Sequence, residues 1–515
     1  MSEYITNSNQ LTDIADSIRN KLNLSSLIQY PSVFISHINN MAVGDYDNED
    51  IVYRDAFQII NSNISEITNT YAFTGFDKLI EASFPECNLI TTAAFYLCSS
   101  LTTVSFPKCR QIFPGAFQSC TSLSEASFPA CSRIGNGAFL DCSSLTSVNF
   151  PVCSYIENSA FGSCASLTIA NFPACSYISF NAFQSCTSLT EASFPACKYI
   201  GSYAFLDCSS LTSVNFPVCS YIGSQAFSYC SSLTEVSFPI CSTIFNGAFY
   251  FCSSLTEESF PVCSYIGNYA FTSCTSLTEA NFPACSYIGN YAFQSCTSLS
   301  EANFPACSYV GNHAFQSCTS LSEANFPACS YVGNYAFQSC YSLTSVSFPV
   351  CSYIGSGAFQ YCYSLTSTSF PICSYIGNGG FGFCSSLATI SFPDCRYIGN
   401  YAFQCGYSLT SVSFPACSYI GTSAFGYCSS LTTVSLPVCS YIGSGAFGYC
   451  SSLMSVYVLS TSLVALAAKS AFSYSPMTNS KYTGSYGSIY VPASLLATYK
   501  TATNWTTYSN RLVGI

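Results

Sequence analysis

The chain has 515 residues and a formal net charge of −11, with 7% charged and 49% hydrophobic residues. Such a balance suits a heavily buried interior and excludes an intrinsically disordered chain. The acidity excludes a nucleic-acid binder, which needs a basic stripe to displace counterions. Mean hydropathy is positive, but apolar runs such as Leu463 to Ala468 fall far short of the about 20 residues of a spanning helix, so no membrane insertion is expected.

The chain opens on MSEYITNSNQLTDIADSIRNKL, which has no basic cluster followed by an apolar core. No secretory signal is legible, and synthesis in a reducing cytoplasm is expected. Leu11, Ile14, Ala15, Ile18 and Leu22 share one helix face. Pro31 then suits a helix start, followed by apolar Val33, Phe34, Ile38 and Met41. The pattern predicts a helical hairpin over 1–43, then an acidic linker (GDYDNED) and N-terminal cap over 44–71. The segment LTDIADSIRNKL…YPSVFISHINNM resembles the leader of phage tail-associated and prophage-encoded proteins of Gram-positive bacteria. The resemblance implies an attachment or assembly element; the plainer alternative is a solubilising cap.

A strict metre follows. TYAFTGFDKLIEASFP reads as a worn first coil, with Phe76 where a cysteine would stand. Phe84, Phe106, Phe128, Phe150, Phe172 and Phe194 are each 22 residues apart, and the series runs to Phe414, with Leu436 next. A fixed period in this range marks a solenoid, whose coils bury their apolar faces only by stacking. In one coil, Leu123, Ala126, Phe128 and Cys131 follow the leucine-rich-repeat spacing L-x-x-L-x-L-x-x-N/C. A strand is predicted through Leu123 to Phe128, with Ser124, Glu125 and Ser127 outward and Pro129 ending it. Gly135 marks a bend, and Ile134, Ala138 and Phe139 form a returning side expected as a turn of helix or 3₁₀ structure. The unit IGNYAFQSCTSLSEANFP, at Ile288 to Pro305, resembles the BspA-type leucine-rich repeat, and the resemblance covers 72–453. It departs from the family pattern in placing Phe-Pro-x-Cys where many relatives have Ile-Pro and another residue.

The expected fold is therefore an α/β-type solenoid of leucine-rich repeats. It has 22-residue coils, a parallel strand ladder on one face and short helical or 3₁₀ turns on the other. About seventeen regular coils would give a sheet roughly 80 Å long.

All 34 cysteines fall in two rows. One follows Phe-Pro, as Cys131 and Cys153 do; the other follows Ala-Phe, as Cys142 and Cys164 do. Cys405 alone stands one place early. A catalytic thiol is needed once and beside a base, whereas here the thiols repeat and the chain has only His37 and His313. Zinc sites pair cysteines two to four residues apart, a spacing these rows do not have. Bridges between equivalent cysteines of stacked coils would have poor geometry. A bridge across each coil is the better oxidised alternative. The favoured reading is buried free thiols, packing as small hydrophobes with the first row facing a turn carbonyl.

With catalytic, metal and cofactor roles thus unassigned, outward rows carry the candidate binding residues. Glu235, Glu257, Glu279, Glu301 and Glu323 are consecutive equivalents. Carboxylates about 5 Å apart repel by roughly 1 kcal/mol even in water-like surroundings. A cation or basic partner would relieve that repulsion, but the favoured reading is a solvated face that discourages edge association and aids solubility. Calcium would need several oxygens converging on one ion. A tyrosine row, including Tyr265, Tyr287, Tyr309 and Tyr331, sits beside the inward Ile or Val of each coil. Those rings could stack on sugars or on a protein, or on one another.

At the other end Gly487 to Val491 reads as a last strand, Pro492 opens a short helix, and Trp505 packs over the final coil, making 454–515 a C-terminal cap. Terminal coils must differ from inner ones to cover an open stack. No phosphate loop or nucleophile elbow is present. BspA-type relatives are typically surface proteins that bind host proteins or other cells. The resemblance thus implies a non-enzymatic adhesion or receptor-binding protein, virion-associated or at a cell surface, whose partner is a cell-surface protein or glycan. Its hairpin would attach to a virion or surface assembly. A bacterial surface adhesin and a purely structural spacer are the alternatives.

Overall fold

The strands are two to four residues long, too short to persist alone, and each is paired in parallel with its equivalent about one coil away. A computed structural model describes residues 58–60, 64–478 and 487–515. The expected helical hairpin and the acidic GDYDNED run lie outside the described residues. The chain divides into two compact units, Met1–Phe216 and Pro217–Ile515.

In the first unit Gln58–Ile60 pairs with Glu81–Ser83, which leads to Thr103–Ser105 and Glu125–Ser127. Ser147–Asn149, Ile169–Asn171 and Glu191–Ser193 form the next set. A second ladder of two-residue strands runs from Glu66–Ile67 through Leu89–Ile90 and Gln111–Ile112 to Tyr199–Ile200. These pairings begin inside the 44–71 segment expected as linker and cap. The second unit repeats the arrangement. Its first type of strand runs from Glu235–Ser237 to Leu512–Gly514 in successive sheets. Its two-residue ladder runs from Tyr221–Ile222 to Ala465–Leu466.

The returning side holds turns, as expected, but they are not helix or 3₁₀ structure. Alternate N–H groups point to different places. Ala138 and Leu140 donate within their own coil, to Gly135 and Gly137 carbonyls at 3.1 and 3.0 Å. Gly137, Phe139 and Asp141 donate instead to Asn158, Ala160 and Gly162 of the next coil, at 2.8, 2.7 and 2.9 Å. Gly137 and Asp141 adopt left-handed φ values of 60° and 61° to make this alternation possible. A helix would have spent these donors internally; here they tie coil to coil. Gly135 has a different reason to be glycine. A Cβ there would lie 2.7 Å from the Phe113 carbonyl carbon, so the bend needs the bare backbone for neighbouring coils to approach.

Each coil buries the same set. Leu123, Phe128, Cys131, Ile134, Ala138, Phe139 and Cys142 are fully buried. The two phenylalanines of a coil meet edge to face, as in Phe128 against Phe139 at 5.8 Å and 69°. Each also stacks on its equivalent, as in Phe139 on Phe161 at 5.2 Å and 3°. Both geometries suit the ring quadrupole. Replacing one such ring by alanine should remove about 3–5 kcal/mol.

At the C-terminus Ser455–Val458 pairs with Ser488–Val491, and that strand pairs with Leu512–Gly514. The final strand is thus Leu512–Gly514, not the Gly487 to Val491 segment. Between them Ala493–Leu495 and Leu496–Thr501 form a short 3₁₀ and α-helical pair. Trp505 is buried, donates its indole N–H to the Val464 carbonyl at 2.8 Å and meets Tyr499 edge-on at 5.0 Å.

All 34 cysteines are free and buried. Cys405 has 7% exposure and no other cysteine exceeds 1%. Titration with a thiol reagent should therefore find all 34 thiols after denaturation without reductant, and in the native protein only Cys405 should react quickly. A denatured count near zero would contradict this packing.

Candidate functional site

The thiols serve the backbone. Cys131 and Cys153, of the first row, donate to the carbonyls of Arg133 and Tyr155 at 3.3 and 3.5 Å. Cys142 and Cys164, of the second row, donate across coils to Phe117 and Phe139 at 3.1 and 3.2 Å. Burial raises every one of these four thiols, Cys153 to about 12. Since the thiolate is the nucleophile, a thiol so held is unreactive. Among the described residues no group of three or more His, Cys, Asp or Glu is placed to hold a metal ion.

The five carboxylates of the strand face all lie in the second unit and are all exposed. Glu235 is paired in register with Glu257, and Glu279 with Glu301. The sequence between Lys198 and Arg396 contains no lysine or arginine. Within the strip, the sequence reading overlooked Glu258. It occupies the middle strand position filled by Val236 and Ala280 in adjoining coils. One carboxyl oxygen accepts the Asn281 N–H at 2.9 Å, while Oε2 is buried without a hydrogen-bond partner. Burial, with the nearby Glu279 charge as a lesser contribution, pushes its carboxyl up to about 8. Its signal in the sequence was the EE doublet in a row of Ala and Val.

Tyr265, Tyr287, Tyr309 and Tyr331 stack on one another at 4.8–5.0 Å with planes within 4°. The column continues without a break through Tyr353 to Tyr441. Within the column each ring face is covered by the next ring, so edges and hydroxyls are what it presents outward. Burial among their neighbours raises the phenols of Tyr287, Tyr309 and Tyr331.

The sequence matches the BspA type leucine-rich repeat region in six copies, over residues 55–168, 176–285, 242–366 and 352–479. The chain belongs to this family. A leucine-rich repeat protein from Bacteroides ovatus is 24% identical, covering 75% of this chain and 88% of its own, with a TM-score of 0.49. A leucine-rich cell surface protein from Faecalibacterium prausnitzii is 20% identical, covering 73% and 82%, with a TM-score of 0.32. No curated protein matches. Among the described residues no helix is long and apolar enough to cross a membrane.

In this BspA-type repeat the two left-handed turn positions are a further surface that the sequence reading did not isolate. In the second unit they place Tyr269, Tyr291, His313 and Tyr335 in one outward stack with centroids 4.5–4.9 Å apart. Gln294, Gln316 and Gln338 form an amide ladder on the same side of the coil, and His313 Nδ1 lies 3.0 Å from Gln316 Oε1.

Two outcomes follow from this geometry. Glu258 binds its proton more tightly folded than unfolded, so stability is fully present below the ordinary value of 4.5 and falls as pH rises toward about 8. At about 1.4 kcal/mol per pH unit, Glu258→Val should stabilise the protein by several kcal/mol more at pH 8 than at pH 4.5, read as melting temperatures; equal gains at both would contradict the burial. Tyr309→Ser removes two stacked pairs and should lower stability by about 1–3 kcal/mol, measured by denaturant unfolding.

Proposed function

We propose that the chain is a non-enzymatic adhesion or receptor-binding protein that holds a basic protein surface against the strand face of its second unit. One observation carries this reading: five exposed carboxylates stand in consecutive coils, Glu235 to Glu323, in a stretch of sequence without lysine or arginine. No lysine or arginine within that stretch offsets the like-charge repulsion, and a cationic partner would remove it. Family membership supports the same reading, since leucine-rich repeats generally mediate protein binding. A protein is favoured over a glycan at the tyrosine column because the faces a sugar would stack on are already covered. The leader's resemblance to phage tail-associated proteins supports assembly into a virion; surface display as a BspA-like adhesin is the competing location.

Fluorescently labelled protein should bind intact host or bacterial cells, and the joint substitution of Glu235, Glu257, Glu279, Glu301 and Glu323 by glutamine should weaken that binding at least tenfold. The wild-type signal should also fall steeply with added salt. Undiminished binding by the five-glutamine protein would remove the strand face as the site. Detection of the chain in purified phage particles would decide between virion and surface.

A further inference from the structure

Each coil has two left-handed positions on its turn side, four residues apart. In the first unit Tyr71, Leu97 and Tyr203, nearer its ends, also take left-handed φ, but from Gly115 to Ser185 the two positions hold only glycine, serine, aspartate and asparagine. Apart from serine, those are the residues that tolerate this backbone best, whereas a bulky ring there is strained. The second unit does the opposite. From Tyr229 to Tyr449 every coil places one aromatic ring at one of its two positions and never at both. Tyr229 and Phe251 use the second position, Tyr269 to Tyr335 the first, and Tyr361 and Phe383 the second again. The vacated position then holds Gly, Ser, Gln or Cys. Tyr229 is 45% exposed and Tyr401 46%. Tyr401 makes no ring contact among the described residues, so stacking does not compensate its strained backbone.

The same face carries no Asp, Glu, Lys or Arg. Between Pro217 and Leu453 the ionisable Asp, Glu, Lys and Arg side chains are Glu235, Glu257, Glu258, Glu279, Glu301, Glu323, Asp394 and Arg396, all on strands or the corners that flank the two-residue strands. The first unit, by contrast, carries Asp141 and Asp207 at its turn positions. Exposed aromatic side chains without charge characterise the cores of association surfaces.

We propose that the turn face of the second unit is a self-association surface, on which a second copy of this chain docks. Charge selects the partner. Two strand faces brought together would oppose their glutamate rows, whereas two turn faces bring no like charges together. Hydrogen-bonding chemistry agrees: tyrosine and serine hydroxyls and glutamine amides each donate and accept, so the surface can complement itself, as a twofold interface requires. Size also suffices. Eleven coils, Tyr229 to Tyr449, at about 4.8 Å each make a strip about 50 Å long. It need be only about 16 Å wide to give the roughly 800 Å² per partner of a standard interface. This inference is independent of the glutamate strip.

Sedimentation equilibrium of the full chain, from low to high micromolar concentration, should show reversible dimers or larger assemblies. The joint variant Tyr361→Ser, Phe383→Ser, Tyr427→Ser, Tyr449→Ser should self-associate at least 100-fold more weakly. The single variant Tyr401→Asn removes a ring that makes no stack, and its melting temperature, read at dilutions where both proteins are monomeric, should be unchanged or higher, because asparagine tolerates the left-handed backbone better. The five-glutamine variant should associate as wild type does or more tightly. A wild-type monomer at every concentration would overturn the proposal, and so would persistent association of the serine variant. A melting temperature that drops in dilute Tyr401→Asn would equally overturn it, assigning that ring to the fold of its own chain.

Discussion

Everything in both units depends on one repeated contact, the paired phenylalanine columns. Within a coil two rings meet edge to face; between coils each lies on its equivalent at about the spacing of parallel strands, as Phe139 does on Phe161 at 5.2 Å. That spacing is the one at which backbone N–H and C=O groups of neighbouring coils also bond. Side-chain packing and hydrogen bonding therefore demand the same repeat, and neither can slip without breaking the other. Leucine, isoleucine, alanine and the two cysteines fill what the rings leave. The second-row thiols reach a carbonyl in the preceding coil, so even the filling ties coils together.

Such a core constrains where function can sit. Among the described residues one coil's interior repeats the next, so differences between coils fall mainly on outward positions. The second unit uses that variation in two distinct ways. Its strand face gathers negative charge, and its turn face excludes Asp, Glu, Lys and Arg while gathering aromatic rings. The two faces are chemically unlike and suit different partners. Glu258 and Thr368 are exceptions, outward residue types at the middle strand position, and their unsatisfied oxygens show what the interior exacts for breaking the metre.

Much of the fold was legible because a repeat writes its own alignment. Phe84 to Phe414 fixes the coil length, and the L-x-x-A-x-F-x-x-C spacing around Leu123 to Cys131 places the strand and its buried flank. The exposure of Glu235 and its equivalents followed from alternation along a strand. What alternation could not reveal is how side chains in different coils meet. The tyrosine column shows this: sequence placed Tyr265 and Tyr287 on an outer edge, but only their 4.9 Å stacking shows that the faces are closed. The returning side shows it too, since Ile134, Ala138 and Phe139 fit a helical spacing while their neighbours' N–H groups are claimed by the next coil.

By itself, then, the sequence determined the period, the buried rows, the parallel stacking and the absence of lysine and arginine opposite the glutamates, because each is a property of position within one repeat. Tertiary structure alone decided the left-handed turn positions, the covered tyrosine faces and the strained carboxyl of Glu258. Those depend on distances between residues one coil apart and on backbone handedness, and neither is a function of what stands next to a residue along the chain.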